Sequence, residues 1–251
     1  MTKQSKGRTV VKSKSRVSAR ATKKVGDKVV KTKVVKKVAK VSSPDKRFYP
    51  YVVAKHGDFA WQYKRFESLL KSFDAKEKEV ILKAYAFANE KHKGQARSDG
   101  SAYIIHPVRI ANILMGEWKE SDFEIVSAAL LHDVIEDTQT TIRELKDAFG
   151  ARISQLTDGM TMWKGSETPE VYLTRISRGK EDLRRIKCAD ALDNLRSWHE
   201  CPKDIEDRFP RWWRQTRQYV IPIADDTLKP ASKILREMIE DDWYLEKAGM
   251  M

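Results

Sequence analysis

Apolar residues in this chain recur three and four positions apart, the spacing that lines one face of an α-helix. Between residues 74 and 91 the stripe is Val80, Ile81, Ala84, Tyr85, Phe87 and Ala88, and Asp74 with Glu77 opens it as a capping box. Ser121 with Glu124 opens the next strongly apolar helix, and Thr141 with Glu144 opens another, which Gly150 closes. Pro107 suits the first turn of a helix over 107–115. Helical spacing continues over 154–162, runs through 170–198 with an interruption near Gly179, and returns over 231–245. No pair of strands emerges. The pattern predicts an all-α fold.

One stretch departs from one-sided patterning. Residues 125–137 read IVSAALLHDVIED, where Val126, Ala128, Ala129, Leu130 and Leu131 deliver His132 and Asp133, with Glu136 and Asp137 one turn later. A helix apolar on most sides is a buried helix, so it carries these polar groups into the interior. Buried charge is costly unless compensated, and a divalent cation is a fitting compensator for imidazole and carboxylate together. The i, i+4 spacings His132 to Glu136 and Asp133 to Asp137 put both acids on the face of the two ligand candidates.

Length and charge divide the chain. Its 251 residues suffice for one large or two small domains. Residues 1–47 hold 17 Lys/Arg against Asp27 and Asp45, a charge of +15, whereas the other 204 residues hold 32 Lys/Arg against 34 Asp/Glu. The basicity belongs to this Lys-rich segment, which has no aromatic residue and reads as a disordered tail. It suits nonspecific contact with nucleic acid or another polyanion, and Lys outnumbering Arg 13 to 4 argues against a targeting presequence. Residues 48–73 read as an aromatic connector, 74–200 as the main domain, and 201–251 as C-terminal helices packing on it, their aromatics capping the helical core. No run of eighteen apolar residues occurs, the N-terminal residues contain no apolar core of the kind a signal peptide has, so export is not expected, and Cys188 and Cys201 lack a partner motif. These features place the expected protein in the cytoplasm, with reduced thiols and no membrane contact.

Two further segments carry polar residues that packing alone explains poorly. The loop from His92 to Pro107 contains Gln95, Arg97, Asp99, Tyr103 and His106, and Asp190 shares a helix face with Asn194 in the segment 186–198. His106, His132, Asp133 and Asp190 would form a site of two imidazoles and two carboxylates. On a cation that prefers six ligands this leaves positions for water and a phosphate oxygen. Such a site acts as a Lewis acid and lowers the pKa of bound water to about 7. Glu136 and Asp137 would orient that water or relay its proton.

The order HxGQxR…YxxHP, ALLHDxxED and KxADxxxNxR, spanning roughly 76–198, resembles the HD-domain hydrolases of the RelA/SpoT family, in particular the stand-alone small alarmone hydrolases. The resemblance implies an HD-domain helical bundle that uses Mn2+ and removes pyrophosphate from the 3′ position of ppGpp or pppGpp, leaving GDP or GTP. It puts the metal on His106, His132, Asp133 and Asp190 and makes Glu136 and Asp137 the catalytic pair. Arg97 matches an arginine beside the guanine base, Ser98, standing where the family has a basic residue, is taken with it as substrate-binding, and Asn194 with Ser197 faces the nucleotide. His92, Gln95 and Tyr103 are expected to support the loop.

Departures from the family pattern shape the alternatives. Ser98 and Asp99 replace a cation with a negative charge, and Asp193 adds another, which predicts weaker binding of an anionic substrate. A different phosphorylated nucleotide, such as an adenosine alarmone or NADPH, is therefore the second reading. A module that binds a nucleotide, or docks on nucleic acid through residues 1–47, is the third.

Overall fold

The computed structural model describes residues 44–201 and 207–251. The reading of a disordered basic tail falls on residues that lie outside these, except at its end. Pro44 is buried and Lys46–Phe48 form a single 3-10 turn capped by Asp45, so the described unit begins before the expected boundary at 47. No strand occurs among the described residues; the one bridge pairs Ala96 with Ala102 in a loop.

The helices follow from their caps. Helix α1 (Phe59–Leu69) is capped by Asp58, whose carboxylate accepts from the Trp61 amide. Helix α2 (Ala75–Lys91) begins at the Asp74–Glu77 capping box. Helix α3 (Ile105–Asn112) starts two residues before Pro107 and runs on as a π-helical segment, Ile113–Glu117. Helix α4 (Phe123–Leu131) is capped by Asp122 rather than Ser121. The Asp122 carboxylate accepts from the amides of Glu124 and Ile125 and adds a negative charge at the positive end of the helix dipole, which a serine hydroxyl cannot do.

All seven residues from Ile125 to Leu131 are buried. At about 1.5–3 kcal/mol for each fully buried large aliphatic side chain, α4 is the anchor of the fold. It packs against α2, against α3, and against two later helices, α7 (Ala151–Met160) and α9 (Glu181–Ser197). The HDxxED motif is not one continuous helix. Helix α4 stops at Leu131, His132 and Asp133 form a turn, and a short α5 (Val134–Asp137) follows.

Helix α6 (Ile142–Phe149) has the Thr141–Glu144 capping box, and Gly150, at φ +84°, ends it and starts α7 at once. That left-handed residue explains why α7 begins at 151 rather than 154. The expected break near Gly179 separates α8 (Pro169–Ser177) from α9. Helices α10 (Phe209–Gln215) and α11 (Ile221–Asp225) are joined by a second π-helical segment, Thr216–Val220. The expected helix over 231–245 is two, α12 (Lys229–Ile239) and α13 (Asp242–Lys247), divided where Asp241 caps the second.

Residues 48–73 do more than connect. Phe48, Tyr49, Phe66, Leu70 and Phe73 are buried in the common core, α1 packs on α3, and the Tyr49 hydroxyl donates to the Arg196 carbonyl at 2.7 Å. Helices α11 and α12 pack on α9, so the C-terminal segment extends the same core. No helix among the described residues is long and apolar enough to cross a membrane.

Candidate active site

Three elements bring the polar residues together. Helix α3 offers His106 from its first turn, the turn after α4 offers His132 and Asp133, and the middle of α9 offers Asp190. One ligand atom each from His106, His132 and Asp190 lies within 4.8 Å of the others, and all three residues are buried. Asp133 joins them, its Oδ2 lying 3.0 Å from His132 Nε2 and 3.9 Å from His106 Nε2.

The donor set fits a divalent cation. Each imidazole uses its Nδ1 elsewhere: His132 Nδ1 lies 2.9 Å from the Ala129 carbonyl, and His106 Nδ1 lies 2.6 Å from Asp193 Oδ2. Both Nε2 atoms are thus left pointing inward as ligands. The His106 and His132 rings meet edge to face, with centroids 5.1 Å apart. His106, His132, Asp133 and Asp190 would hold the cation.

Charge in this cluster is tightly coupled. Burial works against ionised groups here, yet the neighbouring Asp133 and Asp190 push the His132 imidazole up to about 9. Burial likewise disfavours the carboxylates, but His132 holds Asp133, and Lys187 holds Asp190, well below the usual range. Lys187 Nζ lies 2.8 Å from Asp190 Oδ2 and 5.1 Å from the centre of the Tyr172 ring. Its cation is therefore a fixed part of the wall.

Glu136 and Asp137 flank the cluster without belonging to it. Glu136 Oε2 accepts from the Met162 amide at 2.9 Å, and burial raises its pKa. Asp137 Oδ1 lies 2.8 Å from Lys164 Nζ, which also approaches Glu136 Oε1 at 3.4 Å. The Tyr103 hydroxyl lies 2.7 Å from Asp133 Oδ2 and 2.9 Å from Asp137 Oδ2, bridging the ligand set and the acid pair. His92 stacks on the Tyr103 ring and contacts Gln95, whose amide donates to the Asp137 carbonyl. The loop thus orients the acids as well as itself.

The cluster opens into a cleft of about 330 Å³ whose lining includes Arg97, Glu136, Asp137, Lys187, Asn194 and Trp212. That volume is in the range of small-molecule sites. Arg97 Nη2 donates to Asn194 Oδ1 at 3.0 Å, and Asn194 Nδ2 donates to Asp190 Oδ1 at 2.7 Å. A second cleft of about 350 Å³ adjoins at Arg97, Asn194 and Trp212 and reaches Ser98 and Ser197.

Several residues stand differently from the sequence expectation. Ser197 is buried, and its hydroxyl accepts from Arg109 and donates to the Asp193 carbonyl. Asp193 is sealed inside, paired with Arg109 and His106, and adds no free negative charge to the cleft. Asp99 folds onto its own loop, accepting from the Ser101 amide and hydroxyl, and does not line either cleft. Trp212, expected to cap the core, lines both clefts and stacks on Trp198 with centroids 5.9 Å apart, while Phe209 and Trp213 do occupy the core. Sequence patterning does not single out Lys164 or Arg109, and it gives Lys187, the first residue of KxADxxxNxR, no role. Charged residues one turn after His106 and Asp190, in otherwise apolar runs, are the signal that points to Arg109 and Asp193.

Comparison with known proteins adds an independent line. A family model described as HD domain matches residues 84–213. The chain is 37% identical over 169 residues to the mouse (Mus musculus) guanosine-3′,5′-bis(diphosphate) 3′-pyrophosphohydrolase MESH1, spanning 64% of this chain and 93% of that protein. It is 38% identical over 127 residues to MESH1 of Danio rerio, 49% of this chain and 71% of the other. A guanosine-3′,5′-bis(diphosphate) 3′-pyrophosphohydrolase of Aquifex aeolicus is 43% identical over 125 residues, but these make up only 18% of that longer protein. A solved structure titled "A metazoan ortholog of SpoT hydrolyzes ppGpp and plays a role in starvation responses" superposes with a TM-score of 0.57 at 25% identity, over 68% of this chain and 97% of that one.

Proposed function

Since the chain belongs to the HD-domain family, we propose that it is a metal-dependent guanosine-3′,5′-bis(diphosphate) 3′-pyrophosphohydrolase. The observation that carries the reading is the convergence of His106, His132, Asp133 and Asp190 at the base of one cleft, with the Glu136–Asp137 pair on its wall. The names of the relatives, three of which the chain spans over most of their length, supply the substrate.

Hydrolysis breaks the bond between the ribose 3′ oxygen and its phosphorus. Water adds to that phosphorus, a proton goes to the departing 3′ oxygen, and pyrophosphate and GDP result, or GTP from pppGpp. The proposed cation is Mn2+, which when bound supplies Lewis acidity and makes a bound water easier to deprotonate.

The chain's own residues do the rest. Glu136 keeps one carboxylate oxygen on the Met162 amide, and its raised pKa brings it nearer neutrality, where a proton-relaying group works best. Asp137, tied by Tyr103 and Lys164, orients the attacking water. Lys187, paired with Asp190, lines the cleft, and Lys164, paired with Asp137, holds the acid pair from outside it, so Lys187 is the lysine that would meet a phosphate chain. Arg97, bonded to Asn194 and lying over the Tyr103 ring, lines both clefts, and Ser98 and Ser197 line the adjoining one.

Two parts of the reading are separable. The Lys-rich residues 1–47 would contact nucleic acid or another polyanion, supported by their charge of +15. A cytoplasmic setting is supported by two free cysteines, with burial pushing the Cys188 thiol up to about 12.

The test is pyrophosphate release from ppGpp by the purified full chain, with Mn2+ and with a chelator. Release with Mn2+ alone, giving GDP, is the expected result. No release from ppGpp by protein that binds Mn2+ would overturn the substrate assignment.

A further inference from the structure

The side of His106 turned away from the cleft is built from groups that, apart from Ser197 at the edge of the adjoining cleft, the proposed reaction does not touch. Asp193, completely buried, places Oδ2 2.6 Å from His106 Nδ1. Arg109, equally buried, grips the same carboxylate twice, through Nε to Oδ1 at 2.8 Å and Nη2 to Oδ2 at 3.0 Å. Its other bonds go to the His56 carbonyl at 3.2 Å and the Ser197 hydroxyl at 2.8 Å. His56 Nε2 lies 3.0 Å from that hydroxyl, and Gln62 donates to the carbonyl of Lys55 at 3.0 Å. The result is a buried polar spine that begins in the segment before α2 and ends on a proposed metal ligand.

An ion pair is a poor device for filling a core. An apolar pair of similar volume does as well or better, because both charges must be stripped of water. What the pair supplies here is a carboxylate that cannot move, set against an imidazole. The geometry is consistent on both helices: Arg109 follows His106 by one turn on α3, and Asp193 follows Asp190 by one turn on α9. Each helix thus sends one group to the cleft and one to the support behind it. Among the described residues His132 has no carboxylate at its Nδ1, which rests on the Ala129 carbonyl.

We propose that Asp193, clamped by Arg109, is the positioning residue of His106, accepting a hydrogen bond from its Nδ1–H, fixing its tautomer and ring plane, and so presenting Nε2 to the cation. This rests on the reading of His106, His132, Asp133 and Asp190 as the metal site. A carboxylate behind a metal-bound histidine raises the basicity of the ligand and orders the ring, and loss of such a partner characteristically weakens metal binding by about 10- to 100-fold.

The decisive variant replaces both charges, Arg109→Met with Asp193→Leu, so that neither is left unpaired. Mn2+ affinity of the full chain is measured by calorimetric titration, far-UV circular dichroism reports the helices, and Asp190→Asn serves as the ligand control. The expected result is wild-type helicity with Mn2+ affinity lower by about 10- to 100-fold. Unchanged affinity in the double variant, with affinity lost in Asp190→Asn, overturns the positioning role and leaves the metal site standing. Unchanged affinity in both overturns the metal-site reading and this inference with it. If the double variant does not fold, the wild type decides through 15N NMR of its histidines, with His106 assigned from His106→Gln. A protonated Nδ1 supports the inference, and an unprotonated one overturns it.

Discussion

His106 has carboxylates on both sides, and the two sides are neutralised in different ways. Behind it, Asp193 is closed off from solvent and matched by a bidentate arginine, a complete pair that asks for nothing further. In front, Asp133 and Asp190 share Lys187 and two imidazoles, and their lining opens into a cleft. Burial opposes ionisation in each case, and in each case the neighbouring cations prevail. The closed pair is a support. The open set keeps its inward-facing nitrogens and oxygens directed at one point, which is the arrangement a divalent cation completes.

That contrast can be broken from the front first. His132→Ala, or Asp190→Asn, removes a ligand and is expected to abolish Mn2+-dependent pyrophosphate release while helicity persists, as read by product assay and circular dichroism. Breaking the back with Arg109→Met alone leaves Asp193 buried and unmatched, and the expected cost is about 3–5 kcal/mol of stability. Chemical denaturation measures it, and a loss under about 1 kcal/mol would show that water reaches the pair.

Glu136→Gln separates water handling from metal holding. Turnover should fall by roughly 10²- to 10⁴-fold with Mn2+ affinity unchanged, and a parallel loss of affinity would reassign Glu136 as a ligand. A smaller effect concerns Glu200, half-buried near the back of the network, which burial pushes from the ordinary 4.5 up to about 7. The fold prefers its neutral form, so the native state holds a proton that the unfolded chain has released between these values. Stability therefore falls as pH rises from about 4.5 through 7. Glu200→Gln stays neutral throughout, so its melting temperature should match wild type at pH 4 and exceed it at pH 8. Equal melting temperatures at both values would exclude the shift. The smallest effect is expected at Asp99, whose carboxylate closes its own turn. Asp99→Asn should change KM for ppGpp by less than about fivefold, since an exposed charge contributes at most about 1 kcal/mol.

Much of the helical architecture was readable locally. The Asp74–Glu77 and Thr141–Glu144 boxes appear as expected because a capping box is made within four residues and needs no distant partner. Boundaries that depend on competition between adjacent groups were less legible: Asp122 displaces Ser121 as a cap, and Asp241 divides the C-terminal helix. The four proposed ligands could be picked out because imidazoles and carboxylates carried into apolar surroundings require a compensating charge. Lys164, Trp212 and the bridge that Tyr103, expected only to support its loop, makes to the acids could not. Their roles come from elements far apart in the chain, such as the 30 positions between Tyr103 and Asp133.

The sequence by itself determined the helical character of the described residues, a buried helix leading into His132 and Asp133, and a set of polar residues that an interior tolerates only around compensating charge. Local hydrogen bonding and apolar periodicity suffice for those conclusions. The partner and purpose of each remaining charge were decided only by tertiary structure. Asp193 reads along the chain as one more negative charge beside an anionic substrate, and in space it is a neutralised support facing away from it. Electrostatic meaning depends on distance through the fold, and the crossing of α3 and α9 is what brings Arg109 within 2.8 Å of that carboxylate.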